Sequence, residues 1–404
     1  MIKRIIPFIA TAVTLCLVLT IGFIDKNKTA VKATETNYNS VSEIKTSSDK
    51  SSEPMKGVWV TYMELSMQYD DDKSEGAFKN KFENIAQDCK SRGFNTLIVQ
   101  VRPFCDALYS SDYFPFSHII TGKQGAYPGY DPLEIMCETS KKLGLKIHAW
   151  INPYRIALNN IPQELSETNP YITDNEICIE TDSTIILDPA SEKARELIVS
   201  GVSELAENYE IDGIQFDDYF YPPDIENEDN EQYLDYASSI QNSFGMNLDE
   251  WRTANVNLLI SEVYRTVHSL DKDIEFGISP QGNLGNNAGL NADVVSWCAQ
   301  LGYIDYICPQ IYFSLENPAL GFEAALKEWT ELDFHDDLRL YIGLAGYKAG
   351  SDADENTWQD SDDILAQEYK ISDDYNADGI MLYSYSSLVD NNSEKEINNL
   401  CESF

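Results

Sequence analysis

Eight short runs of Val, Ile, Leu and aromatic residues, each followed by enough chain for a helix, constrain the fold more than any other feature. They are Gly57–Tyr62, Thr96–Arg102, Lys146–Asn152 and Gly213–Asp217, then Glu275–Ser279, Asp305–Tyr312, Arg339–Ala345 and Gly379–Tyr385. Several are almost continuously apolar, the pattern of strands buried on both faces. Helical stretches lie between them, among them Phe78–Ser91, Leu133–Leu143, Ser191–Asn208 and Val256–Leu270. Eight β–α units in one α/β chain close most economically into a single (β/α)8 barrel. A doubly wound open sheet calls for a phosphate-type glycine loop, which the sequence lacks. The 404 residues fit one barrel with insertions. A fainter echo, Tyr209-Glu-Ile-Asp-Gly-Ile-Gln-Phe against Tyr375-Asn-Ala-Asp-Gly-Ile-Met-Leu, is the spacing of matching half-barrels.

The N-terminus carries a different message. Lys3 and Arg4 precede a mostly apolar run from Ile5 to Ile24, followed by Asp25, Lys26 and Lys28. A basic start, an apolar stretch and small residues beyond it make an export signal over residues 1–33. The run is also long enough to cross a bilayer, so the leader is either cleaved or kept as a membrane anchor. Both outcomes place the remainder outside the cytoplasm, secreted or at the cell surface. Residues 34–53 are Ser, Thr, Glu, Lys and Asn with few large apolar side chains, the composition of a disordered linker. From residue 54 to 404 the pattern is regular throughout.

Charge narrows the partners. With 29 basic against 67 acidic side chains the net charge is -38, which repels phosphate backbones and argues against nucleic acid. The four His show no paired ligand spacing, and Asp374-Tyr-Asn-Ala-Asp-Gly379 copies the start of a calcium loop while Tyr385 stands where its closing Glu belongs. No metal and no cofactor are therefore expected. The cysteines beyond Cys16 are scattered and read as small core residues.

Barrel enzymes build their sites at the C-terminal ends of the strands. Polar residues gather there: Gln100, Arg102 and Asp106 on the second unit, His148, Trp150 and Asn152 at alternate positions of the third, and Gln215, Asp217, Asp218 and Tyr219 on the fourth. Gln310 and Tyr312 end the sixth run, and Tyr383 and Tyr385 the eighth. Asp217 stands at a strand tip, and Asp218 joins it in the pocket if the strand ends there. Asp106 and Glu64 are the other acids within reach. Trp59, Trp150, Tyr154, Tyr221, Tyr312 and Phe313 lie near strand ends, where rings either stack on the apolar C–H faces of sugars or pack the core.

Longer motifs then carry a resemblance. Gly57-Val-Trp-Val-Thr, Val101-Arg-Pro-Phe-Cys-Asp-Ala-Leu-Tyr, His148-Ala-Trp-Ile-Asn-Pro-Tyr-Arg155, Asp212-Gly-Ile-Gln-Phe-Asp-Asp-Tyr-Phe-Tyr-Pro and Asp305-Tyr-Ile-Cys-Pro-Gln-Ile-Tyr are similar to the bacterial glycosyl hydrolase-like family ten. The likeness runs from about Lys56 to Leu388. It implies an extracytoplasmic glycosidase on a barrel, with a polysaccharide substrate. One branch of the family acts on peptidoglycan strands stripped of their peptides, so a cell-wall glycan is the expected partner. Asp217 is the expected nucleophile or electrostatic stabiliser and Asp218 the leading proton donor, with Arg102 holding the ionised partner. Asp106, His148, Trp150, Asn152, Tyr219, Gln310, Tyr312 and Tyr385 complete the expected substrate contacts. The alternative is a surface barrel that binds glycan without cleaving it.

Overall fold

A computed structural model describes residues 53–158, 164–242, 245–271 and 273–404. The expected leader and linker lie outside the described residues, apart from Glu53. Eight parallel strands close into a barrel: β1 (Met55–Val60), β2 (Thr96–Arg102), β3 (Lys146–Ile151), β4 (Gly213–Phe216), β5 (Glu275–Ile278), β6 (Tyr306–Ile307), β7 (Arg339–Leu344) and β8 (Gly379–Tyr383). All eight expected runs are there, and β8 pairs with β1 to close the ring. The sixth is cut short because Pro309 has no N–H to give a ladder. Beyond it isolated bridges at Gln310 join the chain to its neighbours.

The helices begin where side chains can accept their unpaired amides. Ser74 caps Glu75–Ser91, and Asp131 followed by Pro132 opens Pro132–Leu143. Asn247 and Glu250 form a reciprocal capping box that starts Leu248–Leu270 eight residues before the apolar periodicity becomes legible at Val256. An insertion between β3 and β4 was not foreseen. It forms a three-stranded antiparallel sheet in which Thr184–Leu187 lies between Arg155–Leu158 and Cys178–Glu180.

The floor of the barrel explains the repeated Asp-Gly motif. The residue just before each even strand, Asn95, Asp212, Asp305 or Asp378, accepts the backbone N–H of a residue in the preceding odd strand. Its partners are Lys56 at 2.9 Å, Ile147 at 2.9 Å, Phe276 at 2.7 Å and Leu340 at 3.0 Å. The same four residues donate their own N–H to those partners' carbonyls. Each then accepts from the first residue of the next odd strand, Met55 closing the cycle on Asp378. The unit is therefore a β–α pair of pairs, used four times. Asp378, the last acid of the calcium-like stretch, is spent on this backbone role.

Two cores result. Most apolar side chains fill the layer between barrel and helices. The interior holds Met55, Trp59, Ile98, Trp150, Tyr306, Cys308, Tyr341 and Met381. Such large interior rings need space from their neighbours. A Cβ on Gly213 would lie 2.5 Å from the His148 ring, and one on Gly277 would lie 2.2 Å from Tyr306. The described cysteines are free thiols, most of them buried.

Candidate active site

β4 ends at Phe216, one residue earlier than its apolar run suggests. That single residue decides the site. On a continued strand Asp217 and Asp218 would point to opposite faces; past the end of the strand both enter the mouth of the barrel. Asp217 is 3% exposed and Asp218 4% exposed.

Each carboxyl has its own set of donors. Asn152 Nδ2 and Trp150 Nε1 (3.3 Å) donate to Asp217 Oδ2, and the Tyr219 N–H reaches Oδ1 at 3.4 Å. Asn152 is held in turn by Gln100 Nε2 at 2.7 Å. Asp218 accepts from Gln281 Nε2 and from Gln310 Nε2 at 3.2 Å. Burial, and then the charge of Asp218, push the Asp217 carboxyl up from 3.8 to about 7 against the pull of Arg155 and the N–H donors. Burial raises Asp218 as well, opposed first by the Gln281 amide.

Aromatic rings line the mouth. Tyr383 lies 5.8 Å from Tyr312, 5.9 Å from Tyr347, 6.0 Å from Trp59 and 6.5 Å from Trp150 between ring centroids. Arg155 stacks between Phe104 (5.0 Å) and Tyr219 (5.4 Å), beside the carboxyl pair. Tyr219 and Tyr347 present their rings to solvent. By contrast Tyr154 and Tyr221 are 1% exposed and pack in the core.

The structure thus brings together Asp217, Asp218, Trp150, Asn152, Tyr219, Gln310 and Tyr312. Four expected contacts lie elsewhere. Arg102 is fully buried on the helix side, its guanidinium 4.4 Å from the Phe114 ring. A bulge between Gln100 and Arg102 pairs Arg102 with Ile151 rather than Asn152, and so turns it outward. Arg155 takes the place beside the carboxyls that Arg102 was expected to hold. Asp106 is fully buried in the loop after β2, where His118 Nδ1 and Gln124 Nε2 hold it at 3.1 Å each. His148 shares a face with Trp150 but lies about 7 Å lower, at two residues' rise. There its Nδ1 meets Tyr306 Oη at 3.1 Å, and burial pulls its pKa down to about 3, so the ring is neutral. Tyr385 follows the end of β8 and gives its hydroxyl to Asp88, 2.9 Å away on the Glu75–Ser91 helix. Glu64 is also committed, accepting from Thr61 N and from Ser384 Oγ and Ser386 N.

Sequence reasoning passed over Arg155, Gln281 and Tyr347, and named Tyr383 among the polar residues at the strand ends without counting it a substrate contact. Arg155 closes the motif that begins at His148, and alternation from the interior Met381 leads to Tyr383. Nothing in the sequence marks Tyr347, which follows β7.

A closed (β/α)8 barrel with a buried carboxyl pair past the fourth strand supplies the two acids that a glycosidase-type hydrolase needs. The model of the glycosyl hydrolase-like 10 family matches residues 54–360, and the chain belongs to that family. It is 34% identical over 337 residues to a protein named glycosyl hydrolase YngK of Bacillus subtilis, a match covering 79% of this chain and 65% of the relative's length. It is 33% identical over 335 residues to glycosyl hydrolase DigH of Escherichia coli (strain K12), covering 74% of this chain and 75% of DigH. The glycoside hydrolase domain of PgaB (BpsB) from Bordetella bronchiseptica shares the fold, with TM-score 0.57 and 12% identity over 86% of this chain and 99% of that domain. The catalytic domain of a Paenibacillus polymyxa β-amylase does so with TM-score 0.53 and 11% identity, over 84% of this chain and 94% of that domain.

Proposed function

We propose that this chain hydrolyses glycosidic bonds in a cell-wall glycan outside the cytoplasm, with peptide-free peptidoglycan strands as the substrate. The observation that carries the reading is the carboxyl pair: two neighbouring acids, nearly out of water, each fed by separate N–H donors. Export rests on the basic and apolar leader of the sequence, and the cell-wall substrate on the family resemblance of its motifs.

Glycosidic cleavage asks for one carboxyl that gives a proton to the leaving oxygen. It also asks for a carboxylate that supports the positive charge growing at the anomeric carbon. Two buried acids this close do not both ionise near neutrality, so the pair holds one proton. Burial and the neighbouring Asp218 charge both push Asp217 up, and the proton and the acid role are assigned to it. Asp218 is the ionised partner, stabilised by the Gln281 and Gln310 amides. This division is the reverse of the one expected from sequence.

Both acids leave one strand end on adjacent residues, rather than facing each other across the barrel. That arrangement favours a second form of the same reaction, in which the substrate's own N-acetyl oxygen attacks the anomeric carbon. Asp218 then holds the acetamide N–H while Asp217 protonates the leaving oxygen.

The test is incubation of the purified protein with peptide-free peptidoglycan strands and a count of new reducing ends. Their appearance supports the reading. Strands that bind and stay intact would leave the glycan-binding alternative standing.

A further inference from the structure

We infer that Arg155 is a specificity residue that receives a carboxylate borne by the substrate sugar next to the cleaved bond; the inference rests on the glycosidase reading above. Arg155 opens the short strand Arg155–Leu158, paired with Ile186 of the inserted sheet. Its Nε donates to the Pro103 carbonyl at 2.8 Å. Its guanidinium is held between Phe104 and Tyr219, so its plane is fixed before any ligand arrives.

What remains free is the fork. Among the described residues neither Nη of Arg155 donates to a protein acceptor, and the side chain forms no ion pair with a protein carboxylate. The residue is half-buried at the mouth, where its charge already acts on both Asp217 and Asp218. A partly dried, planar cation with open paired donors matches a carboxylate, whose two oxygens accept in parallel. A second cation, Lys348, is engaged by the Tyr312 carbonyl and Asp354 at 2.8 and 2.9 Å.

The overall charge of -38 does not oppose this assignment. At physiological salt the Debye length is about 8 Å, so distant surface acids are screened while a half-buried contact is not. Charge-assisted bonding of this kind corresponds to roughly ten- to hundredfold in an equilibrium constant. A neutral glycan gains none of it. The enzyme should therefore discriminate between sugars that differ only in whether the carboxyl carries a charge.

Peptide-free peptidoglycan strands carry an ether-linked carboxylate on alternate sugars, and methylamidation removes that charge without altering the backbone. The experiment measures kcat/KM on native and amidated strands for wild type, Arg155→Gln and Arg155→Lys, each checked for folding by its melting curve. Wild type is expected to prefer native strands by about tenfold or more. The ratio should fall to near one in Arg155→Gln through a raised KM on native strands. Arg155→Lys keeps the charge but not the fork, so its ratio should lie between. Equal cleavage of both strands by wild type overturns the inference and leaves the glycosidase reading intact. An unchanged ratio in Arg155→Gln does the same. If wild type cleaves neither form, the glycosidase reading fails and the inference falls with it.

Discussion

Replacing Asn152 with Leu removes one donor from Asp217 while keeping the branching and the number of side-chain heavy atoms. Three N–H groups serve that carboxyl: the Asn152 amide, Trp150 Nε1 at 3.3 Å and the Tyr219 backbone at 3.4 Å. A hydrogen bond to a charged group contributes about 1.5–3 kcal/mol. One pKa unit corresponds to about 1.4 kcal/mol. Losing a donor to the ionised form favours the protonated form, so Asp217 keeps its proton to higher pH. The active state carries one proton on the pair, and the alkaline limb of kcat/KM follows its loss from the carboxyl that burial raises. In Asn152→Leu that limb should move upward by about 1–2 pH units. The same change strands Gln100 Nε2, which lies 2.7 Å from Asn152 Oδ1, at about 1–3 kcal/mol of stability. Rates should therefore be taken well below the variant's melting temperature. A reducing-end assay across pH 4 to 10 supplies the profile. An alkaline limb that stays in place or shifts downward refutes Asp217 as the proton holder.

Three further outcomes follow from the same geometry. Gln281→Leu takes a donor from the ionised Asp218, so the acid limb of the profile should move to higher pH while the alkaline limb stays. Asp217 has a raised carboxyl, so its folded state is stabilised fully below about pH 4 and loses that advantage as pH rises through about 7. The gap between 3.8 and about 7 sets an upper bound of about 4 kcal/mol, and Asp217→Asn should melt higher than wild type at pH 8 and not at pH 3. Asp212→Ala frees the Ile147 amide on the barrel floor; it should cost about 1–3 kcal/mol in urea unfolding with kcat/KM retained.

The strands were legible because β-strands buried on both faces are spelled as apolar runs, and the helices because the chain between those runs is long enough for one and patterned for it, although Ser74, Asp131 and Ser191 set their true starts. The site was legible only in part. Asp217, Trp150 and Asn152 lie on or just past intact ladders, where alternation can be counted. Arg102 was misplaced because one bulged residue reverses the face of everything after it, and a bulge leaves no mark in the sequence. Tyr385 was misplaced because β8 stops at Tyr383. His148 has the right face and the wrong height, since parity says nothing of depth in a barrel whose interior accepts rings opposite Gly213 and Gly277. Arg155 was missed because it belongs to an inserted antiparallel sheet that only the tertiary fold brings back over β4.

The central claim is that Asp217 and Asp218 work as one unit on a glycosidic bond. Its most direct test is kcat/KM for Asp217→Asn, Asp218→Asn and the double variant on peptide-free glycan strands. Groups that act together lose their effect together, and removing an acid–base group costs about 10²- to 10⁴-fold. Each single variant should fall by that much, and the double should fall little further than the worse single. A single variant that retains near wild-type turnover, or a double variant whose loss is the product of the two, would contradict the account.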